Sequence, residues 1–284
     1  MQFALYAIPL VFFTLLILER IFPLRQAQRP LLVRFWVNFC VAALALSTAA
    51  VLVRPVASGL MHRMSEQPYG ALSLMPMPQA AHWVIGFLLL DLSFYYWHRA
   101  NHALPFLWRF HNAHHIDPDL DVSTAFRFHF LEIGFSAAFR AVQIVLIGGS
   151  PAIFLAYEFV FQANTLFQHS NVRVPIAVER WLSLILVTPR MHGIHHSQVR
   201  EENNSNWSSV FSFWDRLHLT LRLNVPQAQV EIGIPGYSLP EDNRVVNVLA
   251  MPFRKQRDYW RNPQGARAVR ATRPEAANVS DMAP

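Results

Sequence analysis

Three clusters of histidine could carry chemistry in this chain: His98-Arg-Ala-Asn-His102, His111-Asn-Ala-His114-His115 and His192-Gly-Ile-His195-His196. Residues three and four apart share one face of an α-helix, so each motif aims its imidazoles at a single region of space. With 13 histidines in 284 residues, a given H-x-x-H-H arises by composition about 0.03 times per chain, so two of them beside an H-x-x-x-H are not an accident of composition. These eight imidazoles exceed the four ligands that close a structural zinc polyhedron. They suffice for two metal ions that each keep an open position, which is what oxygen activation or hydrolysis requires. Neutral imidazole suits Zn, Cu, Fe or Ni. The single cysteine, Cys40, stands in an apolar run, which excludes a disulfide framework and thiolate ligation. His62, His82 and His218 stand alone and read as ordinary histidines.

The elements that must bring these motifs together are apolar. Hydrophobic residues make up 53% of the chain and charged ones 15%, a balance that points to a membrane protein. The expected fold is all-α, a multi-pass helical bundle with a histidine-rich cap on its cytosolic side. Residues 3–18 form a first apolar run without the charged leader or cleavage site of a signal peptide, and 35–53 a second run of spanning length. Residues 54–81 then read as a loop rich in Pro, Ser, Met and Gly. A third run, from 82 to 97, is aromatic at both ends, and 130–149 and 151–167 form a hairpin around Gly148-Gly149-Ser150-Pro151. We divide the chain into an N-terminal hairpin with its connecting loop (1–81), a catalytic domain (82–253) and a disordered basic tail (254–284). The tail holds seven Arg or Lys against three Asp or Glu, most of the net charge of +6, so no folded basic face points to nucleic acid.

Charge orients the bundle. Four arginines lie in 19–34 and two in 54–81, which places the former on the cytoplasmic side of a cell (inner) membrane. Counting spans from there puts every histidine motif, with His169, in that same compartment. Arg140 and Glu158 stand at matching depth on either side of the Gly-Gly-Ser-Pro turn, so they should pair. Asp91, inside the third run, is a candidate for support of the site, or for a buried hydrogen bond to Tyr or Ser. Seven residues of helix, about 10 Å of rise, separate it from His98. Any histidine it orients must therefore come from another element, such as the 192–196 helix.

The residues also carry a resemblance. Asp91-x-x-x-Tyr95-x-x-His98-Arg-x-x-His102, His111-x-x-His114-His115, Gln168-His169-Ser-Asn and Pro189-x-x-His192-x-x-His195-His196 resemble the fatty acid hydroxylase superfamily, which includes the sterol desaturases and C4-methyl oxidases. Ser123-Thr-Ala-Phe-Arg-Phe and Phe213-Trp214-Asp215-Arg216 look especially like its alkylglycerol monooxygenase branch and bacterial relatives. The likeness spans about residues 85–222. It implies a membrane-embedded di-iron enzyme with His98, His102, His111, His114, His115, His169, His192, His195 and His196 as ligands. His129-Phe-Leu-Glu132 stands where the sterol-oxidase branch has His-Pro-x-Glu, so His129 and Glu132 become candidates for an additional ligand or for support of the site. Asn206-Trp207-Ser208 replaces the Asn-aromatic-Gly frequent in relatives.

The function expected is hydroxylation or desaturation of a lipid C–H bond, with two Fe ions, O2 as co-substrate and electrons from a separate ferredoxin-, cytochrome- or reductase-type donor, since the chain has no haem, flavin or nicotinamide motif of its own. No side chain beyond the ligands is assigned to catalysis. A dinuclear zinc lipid hydrolase and a non-catalytic haem- or metal-carrying membrane protein are the alternatives.

Overall fold

The computed structural model describes residues 2–270, and thirteen α-helices lie among these residues. They are α1 (Gln2–Ile21), α2 (Leu31–Thr48), α3 (Arg54–Glu66), α4 (Ala71–Leu74), α5 (Gln79–Ala103), α6 (Pro105–His115), α7 (Phe130–Ile147), α8 (Pro151–His169), α9 (Ile176–Ile185), α10 (Pro189–His195), α11 (Arg200–Asn203), α12 (Phe213–Leu217) and α13 (Val245–Ala250). Among the described residues there is no strand, only isolated β-bridges, so this part of the chain is all-helical.

Two helical stretches among these residues, Leu31–Leu74 and Phe130–Ile147, are long and apolar enough to cross a membrane. On α1, Tyr6, Leu10, Phe13 and Ile17 recur every three or four residues and are all more than half exposed, a continuous apolar stripe facing outward. The opposite face of α1 packs Phe12 and Leu15 against Phe126 and Leu166. A second core joins α3, α5, α7 and α8 through Met64, Leu90, Phe94, Ile144, Ile153, Phe154 and Tyr157.

Residues 54–81 are not the loop expected. The helix continues from α2 through a π-helical stretch, Ala49–Val53, into α3. Pro55 cannot donate to the carbonyl four residues back and its ring crowds that carbonyl. Widening the preceding turn relieves the conflict without ending the helix. The reversal between α7 and α8 follows expectation. Gly148 has φ +68°, and a Cβ there would lie 2.1 Å from the Tyr69 carbonyl oxygen. Beyond this turn Arg140 pairs with Glu158, and the guanidinium sits 4.3 Å from the centre of the Phe94 ring.

The expected disordered tail starts too early. Residues 254–270 pack on the body: the Trp260 ring stacks on Trp108 at 6.2 Å, and Arg270 reaches the buried Glu202 with Nε at 3.0 Å. Two large aromatics, Tyr259 and Trp260, cover enough apolar surface to hold a segment that composition alone reads as tail. The rest of that expectation, residues 271–284, lies outside the described residues.

The N-terminal hairpin is tied to the segment after His115 by ions. Arg34 of α2 donates from Nε and Nη2 to Asp117 at 2.9 and 3.0 Å and from Nη1 to Asp121 at 2.6 Å. Asn38 and Thr124 complete Asp117, and the fully buried Arg127 joins Asn38 to the carbonyl of Ala113. Two of the four arginines counted for orientation, Arg20 and Arg34, thus serve as structural partners of Asp121.

Candidate metal centre

Four helices deliver the histidines. α5 carries His98 and His102 on adjacent turns of one face, α6 carries His111, His114 and His115, α8 ends on His169, and α10 carries His192 and His195 with His196 just beyond it. Local sequence sets these ends: Pro105, Pro151 and Pro189 open α6, α8 and α10, where a missing N–H costs nothing.

The nine histidines converge as two adjacent groups. His98, His102, His111, His115 and His195 form one, and His114, His169, His192 and His196 the other; within each, one ring nitrogen per residue lies within 4.8 Å of all the rest. The groups touch where the His115 and His196 rings stack at 4.3 Å. Eight of the nine come from the three clusters, and His169 is the ninth.

The spacing fits metal ions. In the four-histidine group the Nε2 atoms of His114 and His169 are 3.0 Å apart, His169 and His192 2.9 Å, and His192 and His196 3.1 Å. In the other group His111 and His115 approach to 3.2 Å. Nitrogens about 2.0–2.1 Å from a common centre stand roughly 2.8–3.4 Å apart, from square to tetrahedral arrangement. Hydrogen bonds cannot satisfy such a chain of contacts, because each imidazole nitrogen carries one hydrogen or one lone pair and never both. A cation accepts every lone pair at once. Buried ring nitrogens without a partner, among them His102 Nε2 and His195 Nε2, fit the same reading.

Burial holds eight of the rings neutral. His98, His102, His114, His115, His192 and His196 lie well below the ordinary imidazole value, first through desolvation and then through repulsion among neighbouring histidines. His169 falls to about 4 and His195 to about 3, again chiefly by burial. The lone pairs are free for a metal at neutral pH without displacing protons.

Of the candidates for support, Glu132 lies in reach of the cluster: its Oε1 is 2.7 Å from His111 Nδ1. Asp91 accepts from Tyr157 Oη at 3.0 Å, the Phe211 N–H at 2.9 Å and Trp214 Nε1 at 2.9 Å, so no histidine is among its partners. The tyrosine bond weighed from the sequence is what it makes. His129 stands outside both groups, capping α7 through the Leu131 N–H and facing the Leu249 carbonyl at 3.1 Å. Sequence reasoning missed the partners of the Nδ1 atoms: the carbonyls of Thr165, Ser205 and Trp207 and the Asn203 amide. Backbone carbonyls leave no signature in sequence.

Residues 83–220 match the family model for fatty acid hydroxylases. This segment is a fatty acid hydroxylase domain. All nine converging histidines lie within it, and its limits agree with the resemblance seen at 85–222. Among similar proteins, an ornithine lipid hydroxylase, OlsE, of Rhizobium tropici is 34% identical over 159 residues, 56% of this chain and 47% of that protein. The human alkylglycerol monooxygenase is 31% identical over 138 residues, covering 48% of this chain and 29% of its own length. The human cholesterol 25-hydroxylase is 28% identical over 141 residues, 48% of this chain and 49% of its own. The chain thus spans less than half the length of each. No solved structure matches it. The hydroxylase domain does not stand alone, since the α1–α2 hairpin outside it anchors the segment after His115.

Proposed function

We propose that the protein is a membrane-bound non-haem di-iron oxygenase that hydroxylates a C–H bond of a lipid, with a desaturation variant of the same chemistry as its alternative outcome. The observation that carries this reading is the convergence, inside a fatty acid hydroxylase domain, of nine histidines, seven of them buried, in two groups of metal-ligand spacing. His98, His102, His111, His115 and His195 would hold one iron and His114, His169, His192 and His196 the other. Iron bound there supplies the reductive activation of O2 that an unactivated C–H bond demands. Overall, RH + O2 + 2 electrons + 2 protons gives ROH + H2O, and the electrons come from an external ferredoxin-, cytochrome- or reductase-type donor.

The chain's own part is placement and exclusion of water. Helix faces fix the ligands, Glu132 orients His111, and Phe128 stacks on His114 with ring centres 4.5 Å apart, walling the site with apolar surface. The lipid substrate class rests on the relatives, which are named for an ornithine lipid, an alkylglycerol and cholesterol. The outward apolar stripe of α1 and the two spanning-length stretches support a multi-pass membrane arrangement, and the four arginines of 19–34 favour the cytoplasmic side of the cell (inner) membrane for the metal centre. Metal analysis of the purified protein with O2 uptake tests the reading against a dinuclear zinc hydrolase. Two iron per chain and donor-dependent O2 consumption are expected; two zinc and no O2 consumption would replace it.

A further inference from the structure

The two groups of histidines differ in what holds their second nitrogen. In the five-histidine group, three Nδ1 atoms face one loop: His98 meets the Trp207 carbonyl at 2.9 Å, His195 the Ser205 carbonyl at 2.8 Å, and His115 the Asn203 amide at 3.2 Å. Asn203 Oδ1 has no other partner, and turning the amide over lets it accept the His115 Nδ1–H. His111 faces Glu132, which leaves His102 alone without a partner. In the four-histidine group only His169 is held, by the Thr165 carbonyl of its own helix at 2.7 Å. The Nδ1 atoms of His114, His192 and His196 have no partner among the described residues.

The loop is itself held from several sides. Asn206 sits at φ +53°, a conformation asparagine tolerates better than most residues. Its amide donates to the carbonyls of Met191 at 2.9 Å and Arg222 at 2.8 Å and accepts from the Arg222 N–H at 2.7 Å. The buried Asp215 accepts from the N–H groups of Trp207 and Ser208 at 2.9 and 3.0 Å. Asn206 thereby fastens the loop to α10, the helix that bears His192 and His195.

We propose that loop 203–207 makes the two metal positions unequal: the five-histidine position fills first and holds its ion tightly, while the four-histidine position exchanges. An acceptor on Nδ1–H fixes which nitrogen is bare, fixes the ring's orientation and raises its basicity, and loss of such a partner lowers metal affinity about 10- to 100-fold. Four of five ligands have one in the first group and one of four in the second. Asn206 is a positioning residue, acting on His98 and His195 through the carbonyls beside it. The inference rests on the reading that both groups hold metal.

The test is titration of the full-length, detergent-solubilised, chelator-stripped protein with Co2+, followed by calorimetry and visible absorption. Two steps are expected, the first tighter by about 10-fold or more. His114→Ala should remove the weak step and keep the tight one, and His98→Ala should do the reverse. Mutual repulsion of two cations also separates the steps, so the deciding variant is Asn206→Gly, which keeps the backbone conformation open but lacks the amide bridge. It should weaken the tight step about 10-fold or more and leave the weak step in place, the surviving step showing that the chain is folded. Equal steps, a tight step that belongs to the four-histidine group, or a tight step unmoved in Asn206→Gly would overturn the inference while leaving the metal centre intact. Absence of any Co2+ binding by the unsubstituted protein would overturn the metal centre itself.

Discussion

Replacing Asp117 by Asn should cost about 2–3 kcal/mol of stability, because it removes the carboxylate at the centre of the ions that join the N-terminal hairpin to the histidine-bearing segment. Asp117 is fully buried and takes two bonds from Arg34, at 2.9 and 3.0 Å, with Arg127 at 3.8 Å. Breaking a buried pair by deleting one partner costs about 3–5 kcal/mol. Arg34 keeps Asp121 at 2.6 Å, so the lower end applies. The titration of the group gives the same order. Although burial pushes the Asp117 carboxyl up, the guanidinium groups of Arg34 and Arg127 overcome it and hold it at about 2 instead of 3.8. That difference corresponds to ~2 kcal/mol. For a chain of this size, with an unfolding entropy of about 2.1 cal/mol/K per residue, the loss lowers the midpoint of thermal unfolding by about 3–5 °C, measured by circular dichroism in detergent. Because the folded value is depressed, the contribution is complete above pH 3.8 and is lost as pH falls through about 2. The unsubstituted protein should lose this increment across that window and Asp117→Asn should not. A midpoint within about 1 °C of the unsubstituted protein, a change of about half a kcal/mol or less, would refute the claim that these ions hold the hairpin in place.

Further outcomes follow from the same geometry. Glu132→Gln weakens the acceptor on His111 and should lower affinity at the tighter metal position about 10- to 100-fold, read by metal titration. Asp91→Asn should lower stability by about 1–3 kcal/mol yet leave metal content per folded chain unchanged, since its partners are Tyr157, Phe211 and Trp214. Because burial keeps His98, His102, His114, His115, His169, His192, His195 and His196 neutral, metal uptake between pH 6 and 8 should release almost no protons from these eight rings; calorimetry in buffers of different ionisation enthalpy measures this. Arg140→Glu should destabilise the α7–α8 hairpin, and adding Glu158→Arg should restore most of the loss.

Much of the centre is legible in sequence because metal ligation demands residue types at helical spacing, and eight of the nine histidines announce themselves that way. His169 has no motif of its own and enters only through the family pattern around Gln168-His169-Ser-Asn. The partners of the Nδ1 atoms are hidden for a different reason. Ser205 and Trp207 act through their backbone, and only the left-handed Asn206 hints that the loop is constrained. The helix through Pro55 and the packed segment 254–270 depart from the sequence expectation because proline and a basic composition are local signals. A π-helical turn and the stack of Trp260 on Trp108 are tertiary answers to them. Asp91 shows the same limit, since burial demanded a partner but could not say which of Tyr157, Trp214 or a histidine it would be.

The central claim is oxygen insertion into a lipid at the histidine centre. Cells expressing the unsubstituted protein or His195→Ala, grown under 18O2, provide the most direct measurement through mass analysis of their total lipids. One lipid class carrying a single 18O atom in the first strain and absent from the second is the predicted result. No labelled lipid in either strain, with the unsubstituted protein folded, in the membrane and free of iron, would contradict it.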